Sequence, residues 1–540
     1  MPYYDGSAYP RSEGDVRALV VWVRFADDVR VYVEPATEAA ADWLEPDGLP
    51  TFSDRVISPT AEDPSGLTEY FLEQSAGRLR LTGRSFPDVV VSADDESEYR
   101  RPNGTLDQAR LTREIVAQID ADPRVDLTDF DADFDGFVDY LFVVIRSMHQ
   151  ARLYPSHAAG VSDLGYTSEE PEWAGQTLQI NQDASGSYIR YDSAGNIFPR
   201  IDLVRLMAHE LGHDLWRDYV HLRPVAPAPG IPPFAERQVG YVLMAGNSDS
   251  RGDETISAYE RDLLGWIDCK PLTADTTVLV RDLYSAGAEN CYTYQAPAGG
   301  RQQGRRIYLS ARYRVGPYDR LLTNRSPAAA SDQGLMDTGL LVMATEPGGR
   351  TGPVPRDQQL VLSNHAADYS GDLFQPGDRL TPWTRPNSSG YLTFPLEGNA
   401  WAKTSQKSGV FAALHVLEAP EEDAVRLRFT RDDRIDTVFG QGDVIPALPG
   451  LRFSGMSRVQ GQTELLGNAH FELLSVESTL DILGVAIVEH LVLEPGATVR
   501  VSGLLSVDHI SGLDRGTVIV ETPGRIQGDA AKELLDTGTP

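Results

Sequence analysis

The sequence predicts an α+β protein in which a domain of mixed helices and strands is followed by β-sandwich-type domains. Residues 16–25 form an apolar run typical of a buried strand, and residues 201–215 carry apolar side chains at helical spacing. From residue 269 onward the pattern changes to short alternating strands, such as 306–312 and 424–429, separated by Gly, Pro and Asn turns. A region of mixed helices and strands followed by a region of strands alone is typical of an α+β domain joined to separate all-β domains.

Three domains are expected along the 540 residues. They are a mixed domain over 1–268, a β-sandwich over 269–432, and a small β domain with a polar tail over 433–540. Within the first domain, the predicted elements are strand 16–25, helix 65–77, helix 105–120, strand 138–146, the helix around residue 209, and helix 256–265. No internal repeat is evident in the sequence.

The charge balance argues against nucleic acid as a partner. The chain carries 79 acidic and 48 basic residues, a formal net charge of −31 at pH 7. Nucleic-acid phosphates would be repelled by such a surface, whereas cationic substrates would be attracted. No run of ~18 apolar residues occurs, so the sequence predicts no membrane span. Composition does not indicate an oligomeric state.

The most informative motif is His209-Glu210-Leu211-Gly212-His213, which lies on the predicted helix over 201–215. At 3.6 residues per turn, His209 and His213 are about 40° apart around the axis, so both imidazoles can bind one ion. Their nitrogens are typical zinc ligands. Glu210 can take a proton from water without binding the metal. The motif therefore predicts zinc on the two histidines and Glu210 as catalytic base; two structural histidines on a buried helix are the alternative.

A third protein ligand is expected because catalytic zinc sites hold three protein groups and leave one position for water. In sequences that turn back after such a helix, a glycine precedes a ligand six residues beyond the second histidine. Trp216 and Tyr219 occupy those two places here. We favour Asp218 as the third ligand, with His221 as the alternative. Glu260, on the next predicted helix, is the distal option.

An acidic loop before strand 138–146 predicts a calcium site. Its carboxylates alternate, and Gly136 then permits a tight turn, as oxygen-rich calcium loops require. The expected ligands are Asp131, Asp133, Asp135, the backbone carbonyl of Phe137, and Asp139. Carboxylates that converge without a cation repel one another, which favours calcium. A solvated acidic turn is the alternative.

Three further residues are candidates for supporting roles. Met244 could form an apolar floor beneath the metal, although a core methionine is equally plausible. His157 and Tyr219 could each donate a hydrogen bond to a developing oxyanion. An ordinary surface or core hydrogen bond is the alternative for both. The Pro-rich segment 223–233 cannot be helical, and it could border the cleft or act as a spacer.

Several segments resemble, in chain order, the immune inhibitor A family of secreted bacterial zinc metallopeptidases. The segments are 16–25, 65–79, 129–139, 239–245, 257–266 and 382–386. The resemblance covers about residues 15–430 and does not reach the last domain. This sequence departs from the family pattern at Trp216 and Tyr219, where the family has Gly and Asp. A one-residue deletion would bring Asp218 into the ligand position.

The resemblance implies a zincin- or metzincin-like catalytic domain with zinc and calcium as metals. It implies a zinc-dependent endopeptidase that hydrolyses peptide bonds of extracellular proteins, with protein or peptide substrates. A catalytically silent binding module of the same fold, with a structural metal, is the alternative. The resemblance likewise implies secretion. No signal peptide is visible in the sequence, so on this interpretation the chain is expected to be a processed or trimmed form.

The two cysteines, Cys269 and Cys291, flank a predicted strand over 277–281. In an oxidising compartment they could form a disulfide that would link a hairpin. Two free thiols are the alternative. Their spacing does not match a zinc knuckle.

Overall fold

The computed structural model describes the greater part of the 540-residue chain. The described residues are 11–31, 43–153, 160–166, 178–181, 185–191, 200–216, 243–244, 255–285, 290–295, 306–316, 338–346, 358–362, 373–381, 383–384, 412–445, 447 and 450–531.

The first sheet has the order β2-β1-β4-β6-β5, and β3 extends the pairing of β1. Its strands are β1 (Gly14–Arg24), β2 (Leu79–Ser85), β3 (Val90–Val91), β4 (Tyr140–Ile145), β5 (Gly160–Val161) and β6 (Gly186–Arg190). All pairs are parallel except β5 with β6, which are antiparallel. The antiparallel strand β5 therefore lies at one edge of the sheet, in the described part of the chain.

Four α-helices accompany this sheet in the described residues. They are α1 (Leu67–Gln74), α2 (Gln108–Asp120), α3 (Arg200–Trp216) and α4 (Ala258–Leu263). Each overlaps a helix that the sequence predicts, with ends shifted by a few residues. Asp107 caps α2 by accepting a hydrogen bond from the backbone N–H of Arg110, and Ser257 caps α4.

The predicted α+β fold with a zincin- or metzincin-like catalytic domain is wrong. In the described part of the chain, 26 strands accompany only four α-helices, so the molecule is mostly β with an α/β-like first sheet. Strand β1 explains the error, because it is buried on both faces. Val20 and Trp22 enter one core, whereas Val21 and Val23 enter the other. Unbroken apolar runs of this kind are typical of parallel sheets covered on both sides.

Two further sheets follow the first. One has the order β12-β11-β10-β9-β7, and the other has the order β13-β14-β15-β8. Their strands are β7 (Lys270–Pro271), β8 (Thr276–Arg281), β9 (Tyr292–Gln295), β10 (Arg306–Arg312), β11 (Gly339–Glu346), β12 (Gln358–Leu362), β13 (Arg379–Leu380), β14 (Ala413–Glu421) and β15 (Ala424–Thr430). Leu309 and Leu340 from one sheet share an apolar core with Leu414 and Val425 from the other. We call this two-sheet unit the middle unit; the predicted domain limits at 268 and 432 stay predictions.

Cys269 and Cys291 form a disulfide, which confirms the first of the two alternatives for them. The predicted hairpin link is wrong, however. Each cysteine directly precedes a strand, and the two strands, β7 and β9, are parallel neighbours. The disulfide therefore joins the starts of two parallel strands, and both sulfur-bearing residues lie in the same core as α3.

The C-terminal residues form a parallel two-sheet solenoid, so the expectation of another β-sandwich-type domain without a repeat is wrong. One sheet stacks β16, β18, β20, β22, β24 and β26, and the other stacks β17, β19, β21, β23 and β25. The bounds are β16 (Val438–Phe439), β17 (Asp443–Ile445), β18 (Leu451–Val459), β19 (Thr463–Leu465), β20 (Asn468–Val476), β21 (Thr479–Ile482), β22 (Val485–Leu493), β23 (Thr498–Val501), β24 (Leu504–Ser511), β25 (Thr517–Val520) and β26 (Arg525–Gln527). Every pair within both sheets is parallel.

Equivalent positions on successive coils stack inside the solenoid. Phe453 lies against Phe471, with ring centroids 4.8 Å apart and planes inclined by 4°. Trp383 closes the first coil, since its ring packs 5.1 Å from Phe453 and its indole N–H donates to Asp433 (2.9 Å). Trp383 belongs to the segment 382–386 that the sequence resemblance included. From residue 532 onward, the predicted polar tail lies outside the described residues.

Among the described residues, the structure contains no helix that is long and apolar enough to cross a membrane.

Candidate functional site

Helix α3 is held by an apolar stripe and carries the histidine motif beside it. Leu203, Met207, Leu211 and Leu215 are buried in one continuous core. Four-residue spacing places these side chains along one side of the helix, which fixes its rotation about its own axis. The adjacent His209 and Glu210 are therefore also drawn to buried positions, with 6% and 4% of their surfaces exposed.

The two histidines of the motif lie side by side. The ring centroids of His209 and His213 are 5.1 Å apart, and the ring planes are inclined by 86°. His209 is buried, whereas His213 is half-buried. Two imidazoles one helical turn apart can bind one metal ion. Because one of the rings is partly accessible, the ion could keep a coordination position open for water or a substrate.

A backbone carbonyl fixes the orientation of His209. Its Nδ1 lies 2.7 Å from the carbonyl oxygen of Leu243. A carbonyl oxygen only accepts, so Nδ1 donates, and in the neutral ring Nε2 then carries the lone pair. Metal-binding histidines are commonly held by such a bond to the second nitrogen. The observed bond therefore fits His209 as a zinc ligand through Nε2.

Glu210 packs beneath the edge strand β5. A Cβ placed on Gly160 would lie only 2.6 Å from the carboxyl carbon of Glu210. Any side chain at residue 160 would consequently displace the carboxyl group. Gly160 thus keeps the space into which Glu210 extends, and the proposed base lies beside β5, the edge strand of the sheet in the described part of the chain.

Met244 packs directly against the motif helix. A Cβ on Gly212 would lie 2.5 Å from the Met244 sulfur and 2.9 Å from a ring carbon of Trp216. Gly212 therefore permits the close approach of both side chains to α3. Met244 is fully buried in the same core as Leu211, which fits the alternative of a core methionine, and its place beneath a metal stays a prediction.

Trp216, which stands where a turn glycine was expected, is a core residue. It ends α3 with 8% of its surface exposed, and its indole N–H donates to the carbonyl of Glu260 (3.1 Å). Its ring also lies 6.1 Å from that of Trp266. The favoured third ligand Asp218 and its alternative His221 lie outside the described residues. Tyr219, His157 and the segment 223–233 also lie outside them.

Glu260, the distal option for the third ligand, has both carboxylate oxygens bonded to backbone amides. Oε1 accepts from the N–H of Met244 (3.2 Å), and Oε2 accepts from the N–H of Ser257 (2.8 Å). Burial raises the pKa of Glu260 to about 7, while these amide bonds act in the opposite direction. These contacts tie Glu260 to the 243–244 segment and to the start of α4, and its role as the distal third ligand stays a prediction.

Asp214 is a buried acid that the sequence reasoning missed. Its Oδ2 accepts hydrogen bonds from Tyr140 on β4 (2.7 Å) and from Ser162 next to β5 (2.6 Å). Asp214 follows His213 directly, so these bonds tie the end of the motif helix to the sheet. A charged residue beside an apolar stripe was the available signal, but its partners lie more than fifty residues away along the chain.

The acidic loop brings three of its carboxylates together. Asp131, Asp133 and Asp139 each offer an oxygen, and these oxygens all lie within 4.8 Å of one another. Burial raises the pKa of Asp139 to about 7, and the neighbouring carboxylates act in the same direction. The guanidinium of Arg11 lies 2.7 Å from Asp133 and partly offsets this charge. Oxygen ligands with excess negative charge fit a calcium ion.

Asp135 is not among the carboxylates of this cluster, and the predicted contribution of the Phe137 carbonyl stays a prediction. The Asp135 carboxylate accepts from the backbone N–H of Phe137 (2.9 Å), which closes a tight turn. The backbone N–H of Asp135 in turn donates to Asp131 (3.1 Å). Their role in the loop is to shape the turn that Gly136 completes, with its φ of 87°.

No protein-family model matches this sequence, and no curated protein matches it. The geometry of α3 and its neighbours is therefore the basis for the functional proposal.

Proposed function

We propose that the chain is a zinc-dependent endopeptidase that uses Glu210 as general base. One observation carries the proposal: His209 is oriented by the Leu243 carbonyl beside His213, with the buried Glu210 between them. A structural histidine pair would not require a buried carboxylate at this place. The likeness of several sequence segments to the immune inhibitor A family supports the same proposal. Its substrates are proteins or peptides.

In this proposal each residue has a defined task. When bound, zinc would lower the pKa of a coordinated water and polarise the scissile carbonyl. Glu210 accepts the proton of the attacking water at its carboxylate as the new carbon–oxygen bond forms. It then delivers that proton to the amine nitrogen as the carbon–nitrogen bond breaks. Gly160 leaves Glu210 room to reach that water, and Leu243 keeps His209 in its ligand orientation.

The edge strand β5 gives the proposed site a place for an extended peptide. It has a single pairing partner, β6, in the described part of the chain. An extended substrate can add to a sheet edge through backbone hydrogen bonds. Because Glu210 lies against Gly160 of this strand, a peptide bound there would pass beside the proposed base.

We also propose that Asp131, Asp133 and Asp139 hold a structural calcium ion. Asp139 accepts from the backbone N–H of Arg17 on β1 (2.8 Å) and directly precedes β4. A cation at the cluster would therefore fasten the start of β4 to β1. Secretion belongs to the same proposal, and the Cys269–Cys291 disulfide supports it, since such bonds persist in oxidising compartments.

The proposal is tested by cleavage of casein or gelatin by the wild type and by Glu210→Gln. Loss of a general base typically costs 10²–10⁴-fold in rate, so we expect at least about a 100-fold loss of kcat/KM. Zinc content should not change, because Glu210 is not a proposed ligand.

Glu422→Gln is the matched control, since Glu422 is exposed in the turn between β14 and β15. This variant should cleave at the wild-type rate. Equal cleavage by wild type and Glu210→Gln would contradict the proposed base. A wild type that binds zinc but cleaves nothing would instead favour a silent binding module.

A further inference from the structure

The 243–244 segment contacts the motif helix at two points. The Leu243 carbonyl accepts from Nδ1 of His209 (2.7 Å), and the Met244 sulfur packs against Gly212. The position of this segment therefore sets the rotation of the His209 ring. A shift of about 1 Å would lengthen the bond to Nδ1 beyond hydrogen-bonding distance and release the ring.

Glu260 holds this segment from the opposite side. Its Oε1 accepts from the N–H of Met244, and Oε2 accepts from the N–H of Ser257, the residue that caps α4. The Ser257 hydroxyl completes the cap by accepting from the N–H of Glu260 (3.1 Å). The carboxylate thus links the first turn of α4 to the segment that orients His209. All of these groups are buried, so water does not readily replace the bonds.

Helix α4 is in turn fixed by residues from two other parts of the fold. Arg261 donates to Gln74 of α1 (2.9 Å) and to the carbonyl of Ile256 (3.1 Å). Its guanidinium lies 4.5 Å from the ring centroid of Tyr284, just beyond β8. The Tyr284 hydroxyl also donates to Gln74 (3.1 Å). Glu260 therefore projects from a helix that is immobilised on both sides.

We infer that Glu260 is a positioning residue that holds His209 in its metal-binding orientation through the 243–244 segment. The inference rests on the proposed zinc site, and it assigns Glu260 a task other than ligation. Neither oxygen of Glu260 needs to approach the ion for this task. Removing one amide contact should therefore weaken metal binding without removing a ligand.

The test compares the zinc affinity of the wild type, Glu260→Gln and Asp262→Asn by chelator competition. Changes to groups that orient a metal-binding histidine typically cost 10–100-fold in metal affinity, so Glu260→Gln should weaken zinc binding by about 10-fold or more. Asp262 lies on the same helix, but it accepts from Tyr308 (2.8 Å) in the middle unit. Asp262→Asn should leave zinc affinity within about twofold of the wild type.

Thermal unfolding of the metal-free proteins separates this effect from general destabilisation. Glu260→Asp keeps the charge and shortens the side chain, and we expect zinc affinity between those of wild type and Glu260→Gln. It also serves if Glu260→Gln fails to fold. If Glu260→Gln binds zinc with wild-type affinity, or if Asp262→Asn loses as much zinc affinity as Glu260→Gln, the inference about Glu260 is overturned. The proposed function would not be affected by either result. A wild type that binds no zinc would overturn the proposed function together with the inference.

Discussion

At the scale of single residues, Glu210 depends on a neighbour that has no side chain. Gly160 on β5 leaves the space that the Glu210 carboxyl group occupies, and its backbone φ is not in the left-handed region. The glycine is therefore required by contact with Glu210 and not by backbone conformation. This distinction permits a sharp test, because alanine fits the backbone but not the space.

Gly160→Ala should lower kcat/KM for peptide cleavage while the protein still folds. The added methyl group displaces the proposed base, and a misplacement of about 1 Å can cost about 100-fold in rate. Steady-state kinetics and a thermal unfolding curve provide the measurement. Val161→Ala is the control, since it alters the same strand without adding atoms next to Glu210. A Gly160→Ala variant with wild-type kinetics would show that the carboxyl position does not matter.

The acidic loop supplies a second test at this scale. Calcium at 100 times its dissociation constant should stabilise the wild type by about 2.7 kcal/mol. Asp133→Asn should abolish this gain, because it removes one of the three clustered carboxylates. Asp135→Asn should retain it, because Asp135 lies outside the cluster and Asn keeps an acceptor for the Phe137 amide. Calcium titrations followed by thermal unfolding will measure both, and equal behaviour of the two variants would contradict the assignment.

The motif residues could be predicted from sequence because their relation is local. His209, Glu210 and His213 share one helix, and helical geometry alone sets their spacing. Glu260 could be named as a candidate ligand because the sequence shows that a carboxylate is present there, but the sequence does not show which backbone amides it contacts. The same limit concealed the bonds from Asp214 to Tyr140 and Ser162, which join distant parts of the chain.

At the scale of elements, the solenoid shows what sequence reasoning missed. Strands β19, β21, β23 and β25 each begin with a threonine and are each followed within a few residues by a glycine. The segments from threonine to glycine are Thr463–Gly467, Thr479–Gly484, Thr498–Gly503 and Thr517–Gly524. Their spacing varies by a few residues, which hid the repeat. The coils bring these glycines close to the backbone of the preceding coil. Such an irregular repeat still predicts a solenoid when strands and glycines recur together.

Gly484→Ala should destabilise the solenoid by about 3 kcal/mol, since its Cβ would lie 2.7 Å from the carbonyl carbon of Gly467. Gly496→Ala is the comparison, because its Cβ would meet nothing within 4 Å. Its φ of 83° alone should cost about 1 kcal/mol. Urea unfolding measures both values. A Gly484→Ala loss no larger than that of Gly496→Ala would contradict the close stacking of the coils.

The strand and helix predictions of the first 268 residues succeeded where the pattern was long and apolar. Strands β1 and β4 and helices α1 to α4 all overlap predicted elements. Strands β2, β3, β5 and β6 were not among the predicted elements, and β3 and β5 have only two residues each, too few to show a period. The fold class was wrong because the buried parallel strands and the solenoid coils were not distinguished from ordinary alternating strands.

At the scale of the whole molecule, the site and the middle unit share one apolar core. Leu211 and Met244 beside the motif belong to the same buried cluster as Cys269, Cys291 and Tyr308. This buried cluster therefore continues past residue 268 into the middle unit. A change that destabilises the middle unit should therefore also destabilise the packing around α3.

Reduction of the disulfide tests this continuity. The bond closes a loop of 22 residues, and a loop of that size is worth about 3 kcal/mol in the chain-entropy model. Thermal unfolding of the wild type with and without a reductant should show this loss, with a fall in zinc affinity. A double variant with alanine at both cysteines should match the reduced wild type and should not respond to the reductant. Unchanged stability after complete reduction would contradict the expected contribution.

The most direct test of the central claim is the zinc content of the purified protein, measured by elemental analysis. The wild type should bind one zinc ion per chain with micromolar or tighter affinity. The double variant His209→Ala/His213→Ala should bind none at that affinity, while its calcium response should persist because the acidic loop is unchanged. A wild type without zinc, or a double variant that retains zinc at wild-type affinity, would contradict the claim that α3 is a metal-binding helix.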